Sequence, residues 1–169
     1  MPRNFIKRWT PTPERVRKIR GLRFLGRLLD DPYIFHLNRR SVSVAFFVGL
    51  FICFLPILGQ IPLAAVAALV FRCNLPITLL LVWISNPFTF PFIYFACYRF
   101  GALLLRRPVI DVQFDLSWQW FTTTFQQIWE PFVLGSLIAS LFFGCLGYVS
   151  VQWFWRWRVR VKWRTRRQT

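Results

Sequence analysis

The chain has 169 residues, of which 56% are hydrophobic and 20% aromatic, and a formal charge of +16. A soluble domain of this length shows more polar residues and shorter apolar runs, so the composition excludes an ordinary cytosolic fold and predicts a membrane protein. Only Glu14, Asp30, Asp31, Asp111, Asp115 and Glu130 are acidic, all outside the apolar runs, and no nucleophile–base or phosphate-loop motif appears. No enzyme and no cofactor are therefore expected.

In chain order, residues 1–40 form a basic leader. Thr12-Pro13-Glu14 reads as a helix start, with a threonine cap, proline at the first position and an acid in the first turn. Val16, Ile19, Leu22, Leu25 and Leu29 recur at helical spacing, and Arg15, Arg17, Lys18, Arg20, Arg23 and Arg27 fill most of the rest. Such a helix suits an anionic membrane surface, the alternative being a cytoplasmic helix packed on the protein's own core. The lone His36 has no thiols or carboxylates around it, so no metal site is expected.

Residues 41–107 form the core. Apart from Arg72, the stretch Ser41–Tyr98 is uncharged, yet it is broken at Pro56–Pro62 and again at Ser85–Thr89. Unpaired backbone groups cost several kcal/mol in hydrocarbon, so each break needs shielding or a function. A helix from Ser41 to Leu58 would rise about 27 Å, close to the hydrocarbon thickness. Pro62–Phe71 and Pro76–Ser85 would each cover about half of it, and Phe88–Leu105 most of it. Arginine at the bilayer centre costs about 2.5–3.5 kcal/mol, which places Arg72 at a surface. Gln60 and Asn86 then fall at similar depth, at the inner ends of two half-helices. Gly59, Gln60, Ser85, Asn86 and Thr89 form a candidate polar site of the kind discontinuous helices provide. The alternative is that these residues are structural glue closing the breaks by interhelical hydrogen bonds.

The four cysteines, Cys53, Cys73, Cys97 and Cys145, have no C-x-x-C spacing and read as packing residues. Residues 108–130 form a near-neutral external loop, in which Trp118, Phe121, Phe125 and Trp129 fall at helical intervals and predict an interfacial helix. Pro131 is read as opening a transmembrane helix over residues 131–155. Ser136, Ser140, Gly144 and Gly147 form a small-residue ridge on it, suited either to the core or to a second copy of the chain in a homo-oligomer. Trp153, Trp155 and Trp157 predict an aromatic belt before a basic tail over residues 156–169, in which Arg156 and Arg158 face lipid headgroups.

Gly49, Pro56 with Gly59-Gln60, Arg72 with Asn74, Ser85-Asn86-Pro87 with Thr89, and Tyr98 with Gly101 resemble the uncharacterised bacterial family called domain of unknown function 2062. The resemblance covers Arg40 to about Gly101. It implies a bacterial inner-membrane protein and brings no reaction or ligand.

The expected fold is all-α, a polytopic membrane protein of broken and re-entrant helices behind an amphipathic leader. Basic residues at both ends put both termini in the cytoplasm by the positive-inside rule, which requires an even number of crossings. A re-entrant segment over 41–71, a broken span over 76–105 and the last helix meet that condition, as do four full crossings. Two functional readings follow: a small transporter or lipid-handling protein using the polar breaks, or a non-catalytic scaffold or accessory subunit gripping anionic lipid headgroups or a protein partner. Nucleic acid is not an expected partner, because juxtamembrane basic clusters have a sufficient cause in topology and lipid charge.

Overall fold

The computed structural model describes residues 37–57, 59–109 and 118–166, and their side chains except at 118–127 and 162–166. The leader helix, His36 and the surface residues Arg15, Lys18, Arg23 and Arg27 lie outside the described residues. Everything described is helical or irregular, in five helices: α1 (Arg39–Phe54), α2 (Gln60–Val70), α3 (Leu75–Val82), α4 (Phe90–Leu104) and α5 (Trp118–Arg166).

Helix α1 starts where Asn38 caps it, its side chain accepting the Ser41 N–H at 2.7 Å. It stops at Phe54, four residues short of the end expected from the apolar run, because Pro56 pushes the preceding Leu55 into extended backbone (φ −74°, ψ 129°). After Pro56 the chain reverses at Gly59, whose φ of +85° is a left-handed conformation that glycine adopts without a Cβ penalty. The returning α2 ends beside the start of α1, where the Asn74 N–H reaches the Ser41 carbonyl at 3.4 Å. So α1 and α2 form a helical hairpin, and α3 leaves from the same end. Asn74, almost wholly buried, caps α3 through the Ile77 N–H at 3.1 Å.

The interior is small-residue packing. Ala45, Ala64, Ala65, Ala68, Cys53 and Cys73 are fully buried, and larger groups such as Val42, Ile52 and Leu75 fill between them. Gly49 lets α3 approach: a Cβ there would stand 2.7 Å from Leu81 Cβ.

Helix α5 runs through Pro131 as one rod of 49 residues, about 73 Å at 1.5 Å per residue. This corrects the expectation that Pro131 opens the last helix after a separate interfacial one. An interior proline removes one backbone bond and crowds the preceding turn, at about 3 kcal/mol. Here that turn is where α4 presses closest: a Cβ on Gly101 would collide with the Pro131 carbonyl, and one on Gly135 with the Cys97 carbonyl. The small-residue ridge is used within the chain. Ser136 and Ser140 are buried, Ser136 beside Cys97 of α4, while Gly144 abuts Phe47 and Gly147 abuts Leu50 of α1, so the two helices share the ridge. Helix α1 lies along α5 with Arg39 Nε donating to Gln152 Oε1 at one end and Phe54 stacked on Phe143 at the other, ring centroids 4.6 Å apart.

Two helix ends share an unusual cap. At α2, Cys73 N–H bonds to Ala68 O (2.9 Å) and Arg72 N–H to Leu69 O (3.2 Å); at α4, Arg107 N–H bonds to Ala102 O (2.9 Å) and Arg106 N–H to Leu103 O (3.2 Å). Both are Schellman motifs, which favour glycine at the left-handed position. Here the position is held by Arg72 (φ 48°) and Arg106 (φ 51°).

Candidate polar site at the helix breaks

Ending α1 at a proline leaves the Cys53 and Leu55 carbonyls without helical partners, since the chain no longer supplies N–H groups four residues on. Both point into a cluster built from the two breaks and from α4. Gln60, the first residue of α2, donates from Nε2 to Leu55 O at 2.7 Å and to the Tyr94 hydroxyl at 2.8 Å, with Cys53 O further off at 3.5 Å. Tyr94, buried on α4, reaches the same two carbonyls, Leu55 O at 2.8 Å and Cys53 O at 3.3 Å. Ser85, just past the end of α3, donates from Oγ to Gln60 Oε1 at 2.9 Å. One carboxamide therefore joins the ends of α1 and α3 to the side of α4, using both of its N–H donors and its oxygen.

Asn86 is placed differently. Its Oδ1 accepts the Phe88 and Thr89 N–H groups at 2.9 and 3.0 Å, and its own N–H donates to Thr89 Oγ1 at 3.1 Å. The Thr89 hydroxyl in turn donates to the Ile84 carbonyl. This reciprocal Asx turn satisfies the backbone where α3 ends and α4 begins, ahead of Pro91 in the first turn of α4. Among the described residues no hydrogen bond joins Gln60 to Asn86; Ser85 is the residue that links the two breaks. Gly59 contributes its backbone turn alone, with no capping side chain.

Tyr94 is the member of this cluster that the sequence reading missed. The signal available was a hydroxyl two helical turns beyond the Asn86-Pro87 break in an otherwise apolar run. Its partners, backbone carbonyls about forty positions away, leave no mark in residue pattern. The flanking aromatics Phe90 and Phe132 pack on its ring, with centroids 4.3 and 5.6 Å away.

The remaining candidates lie apart from this cluster. Arg156 and Arg158 are exposed near the end of α5, the latter over the Phe154 ring at 5.3 Å. Trp153 and Trp157 are exposed, whereas Trp155 packs against the core as a wedge. Cys53, Cys73 and Cys97 are buried and Cys145 is exposed. No group of three His, Cys, Asp or Glu among the described residues is placed to hold a metal ion.

The outer surface is apolar. Val70, Phe71, Trp83, Phe92, Leu103 and Phe142 are all exposed, and they come from every helix but α1. Within α5, Ile128–Val161 is long and apolar enough to cross a membrane, and only 28% of its most apolar window is buried.

No curated protein and no solved structure matches the chain. One family model, described as an uncharacterised protein conserved in bacteria, matches residues 22–164. That match reaches well past the Arg40–Gly101 stretch that carries the resemblance in sequence, taking in part of the leader and nearly all of α5. With both helix breaks, four whole helices and nearly all of the fifth in its span, the chain belongs to the DUF2062 family.

Proposed function

We propose that the protein is a multi-pass bacterial inner-membrane scaffold or accessory subunit without catalytic activity, whose polar breaks serve to lock broken helices together. The observation that carries this reading is the state of Gln60: both amide hydrogens and the amide oxygen are committed to Leu55 O, Tyr94 and Ser85. An amide so engaged closes helix ends and has little left for a ligand. In this reading the α1–α2 hairpin enters and leaves on the cytoplasmic side, α3 and α4 form one broken crossing and α5 another. The meeting of Asn74 with Ser41 supports the hairpin, and the basic residues of 1–40 and 156–169 support two cytoplasmic termini. The exposed apolar side chains supply the lipid-facing surface.

A second reading, a small transporter or lipid-handling protein, is favoured by one feature. The N-terminus of α2, with its positive dipole end, converges on the ends of α1 and α3, as broken helices do around transported ions and polar groups. Alanine substitution at Gln60 and at Asn86 separates the two. In the scaffold reading each variant loses stability, and rescue of a deletion strain's defect falls only in proportion to folded protein. Full stability with abolished rescue, in either variant, would refute the scaffold reading and leave the transporter.

A further inference from the structure

Where α1 begins and α2 ends, at the Gln152 end of α5, the chain forms a half-open recess of about 360 Å³. Its wall includes Arg40 and Arg72, with Ser41, Val44 and Phe71 between them. Arg40, in the first turn of α1, and Arg72, just past the end of α2, thus line one small space. Glu130, the only carboxylate side chain among the described residues, is paired with Arg107 far along α5, 2.6 Å away. The N-terminus of α1 opens at the same place and adds a positive dipole end. Ser41 is the second, independent sign. It is only 5% exposed, and its hydroxyl is a buried polar atom with no hydrogen-bond partner among the described residues. A buried hydroxyl left in that state costs about 1–3 kcal/mol unless something fills its demand.

The recess does not end in polar wall. Arg40, Val44 and Phe47 fall at four- and three-residue steps on one face of α1. Val44 also lines an adjoining groove of about 310 Å³, shared with Phe47, Cys145, Tyr148 and Val149 between α1 and α5. A charged recess and an apolar groove that share Val44 as a wall have the chemistry of an amphiphile with an anionic head.

From this juxtaposition we infer that the α1–α2 hairpin holds one anionic phospholipid. Its phosphate sits against Arg40, Arg72 and the Ser41 hydroxyl, and an acyl chain lies along the Val44–Val149 groove. The inference rests on the membrane placement proposed above and adds a specific lipid site that the scaffold reading does not require. It gives a role to two arginines that line one recess with no carboxylate beside them among the described residues, a placement that repulsion would otherwise disfavour.

The test uses the full-length protein purified in detergent, titrated with phosphatidylglycerol, with phosphatidylcholine and with inorganic phosphate. Binding is read by native mass spectrometry and by the melting temperature. The expected result is one retained phosphatidylglycerol per chain and a raised melting temperature, with phosphatidylcholine weaker. Arg40→Gln and Arg72→Gln should each weaken the anionic lipid about fivefold, the worth of one basic residue at a lipid surface. Ser41→Ala should weaken it severalfold, and Arg106→Gln, at the matching cap of α4, should leave it unchanged. Arg72→Lys, which keeps the charge, should retain most of the affinity and serves if the glutamine variant fails to fold. Equal losses from Arg106→Gln, or equal binding of both lipids, would overturn the site in favour of diffuse surface charge. Binding of inorganic phosphate with the same arginine dependence would make the ligand a free phosphate and overturn the lipid. Release of the protein from membranes by alkaline carbonate alone would instead refute the membrane placement, a failure separable from that of the site.

Discussion

Replacing Tyr94 with phenylalanine removes one oxygen from a buried cluster and leaves the ring packing on Phe90 and Phe132 in place. The hydroxyl makes two close contacts, to Leu55 O and from Gln60 Nε2, both at 2.8 Å. Interhelical hydrogen bonds in membrane proteins average about 0.6 kcal/mol and reach about 1.7, so losing two costs about 1.2 kcal/mol at the average and about 3 at the upper end. Gln60→Leu removes three contacts, to Leu55 O, Tyr94 and Ser85, and by the same average costs about 1.8 kcal/mol. The Gln60–Tyr94 bond is common to both, so the double variant should lose about 0.6 kcal/mol less than the two single losses together. Asn86→Ala provides the contrast. It deletes a local cap worth about 1 kcal/mol, and paired with Gln60→Leu it should be additive, since no bond joins the two side chains. Unfolding in mixed detergent micelles, followed by tryptophan fluorescence, gives all five values. Additivity of Gln60 with Tyr94, or coupling of Gln60 with Asn86 as strong as that with Tyr94, would refute the assignment of Gln60 as the clamp.

Two further outcomes follow from the packing and the charge distribution. Gly135→Ala places a Cβ against the Cys97 carbonyl and should destabilise by about 1–3 kcal/mol, whereas Gly144→Ala, whose Cβ meets the Phe47 ring at 3.2 Å, should cost less; equal melting temperatures would contradict the backbone contact of α4 with α5. Reporter fusions after Arg40 and at Thr169 should both score cytoplasmic and one near Asp115 external, and a periplasmic C-terminus would remove the hairpin topology.

What the sequence disclosed and what it hid divide along a physical line. Pro56 and Pro87 announce their breaks because a missing N–H acts on the residues beside it, whereas the caps made by Asn74 and Asn86 went unread although their bonds reach only two or three positions on. Length also carried through: the hairpin turn near Gly59 and the corner at Arg72–Asn74 fall where the apolar runs stop. Pro131 misled for the same local reason, since a proline that usually starts a helix can sit inside one when a neighbouring helix packs on the strained turn. The Tyr94 hydroxyl and the Gly101–Gly135 contact were invisible because their partners lie about forty and thirty-four positions away and are backbone atoms. Gly144 and Gly147 were legible as a ridge, but the choice of α1 as its occupant depends on crossing geometry that spacing does not encode.

The two Schellman caps carry a cost that folding alone would not select. Glycine is at ease at φ near +50°, and an L side chain there gives up of order 1 kcal/mol. A chain shaped by stability would carry glycine at both Arg72 and Arg106. Arginine at these places puts a fixed cation on each of the two helix C-termini, where the carbonyl ends of α2 and α4 welcome it. The two positions then part ways. At Arg106 the compensation is local electrostatics, so a more thermostable descendant with glycine there would work as before. At Arg72 the same gain in robustness would strip the hairpin of one of its two ligating charges. Directed evolution for heat resistance should accordingly relax position 106 freely and resist change at position 72, a divergence between two identical backbone motifs that their shared geometry does not foretell.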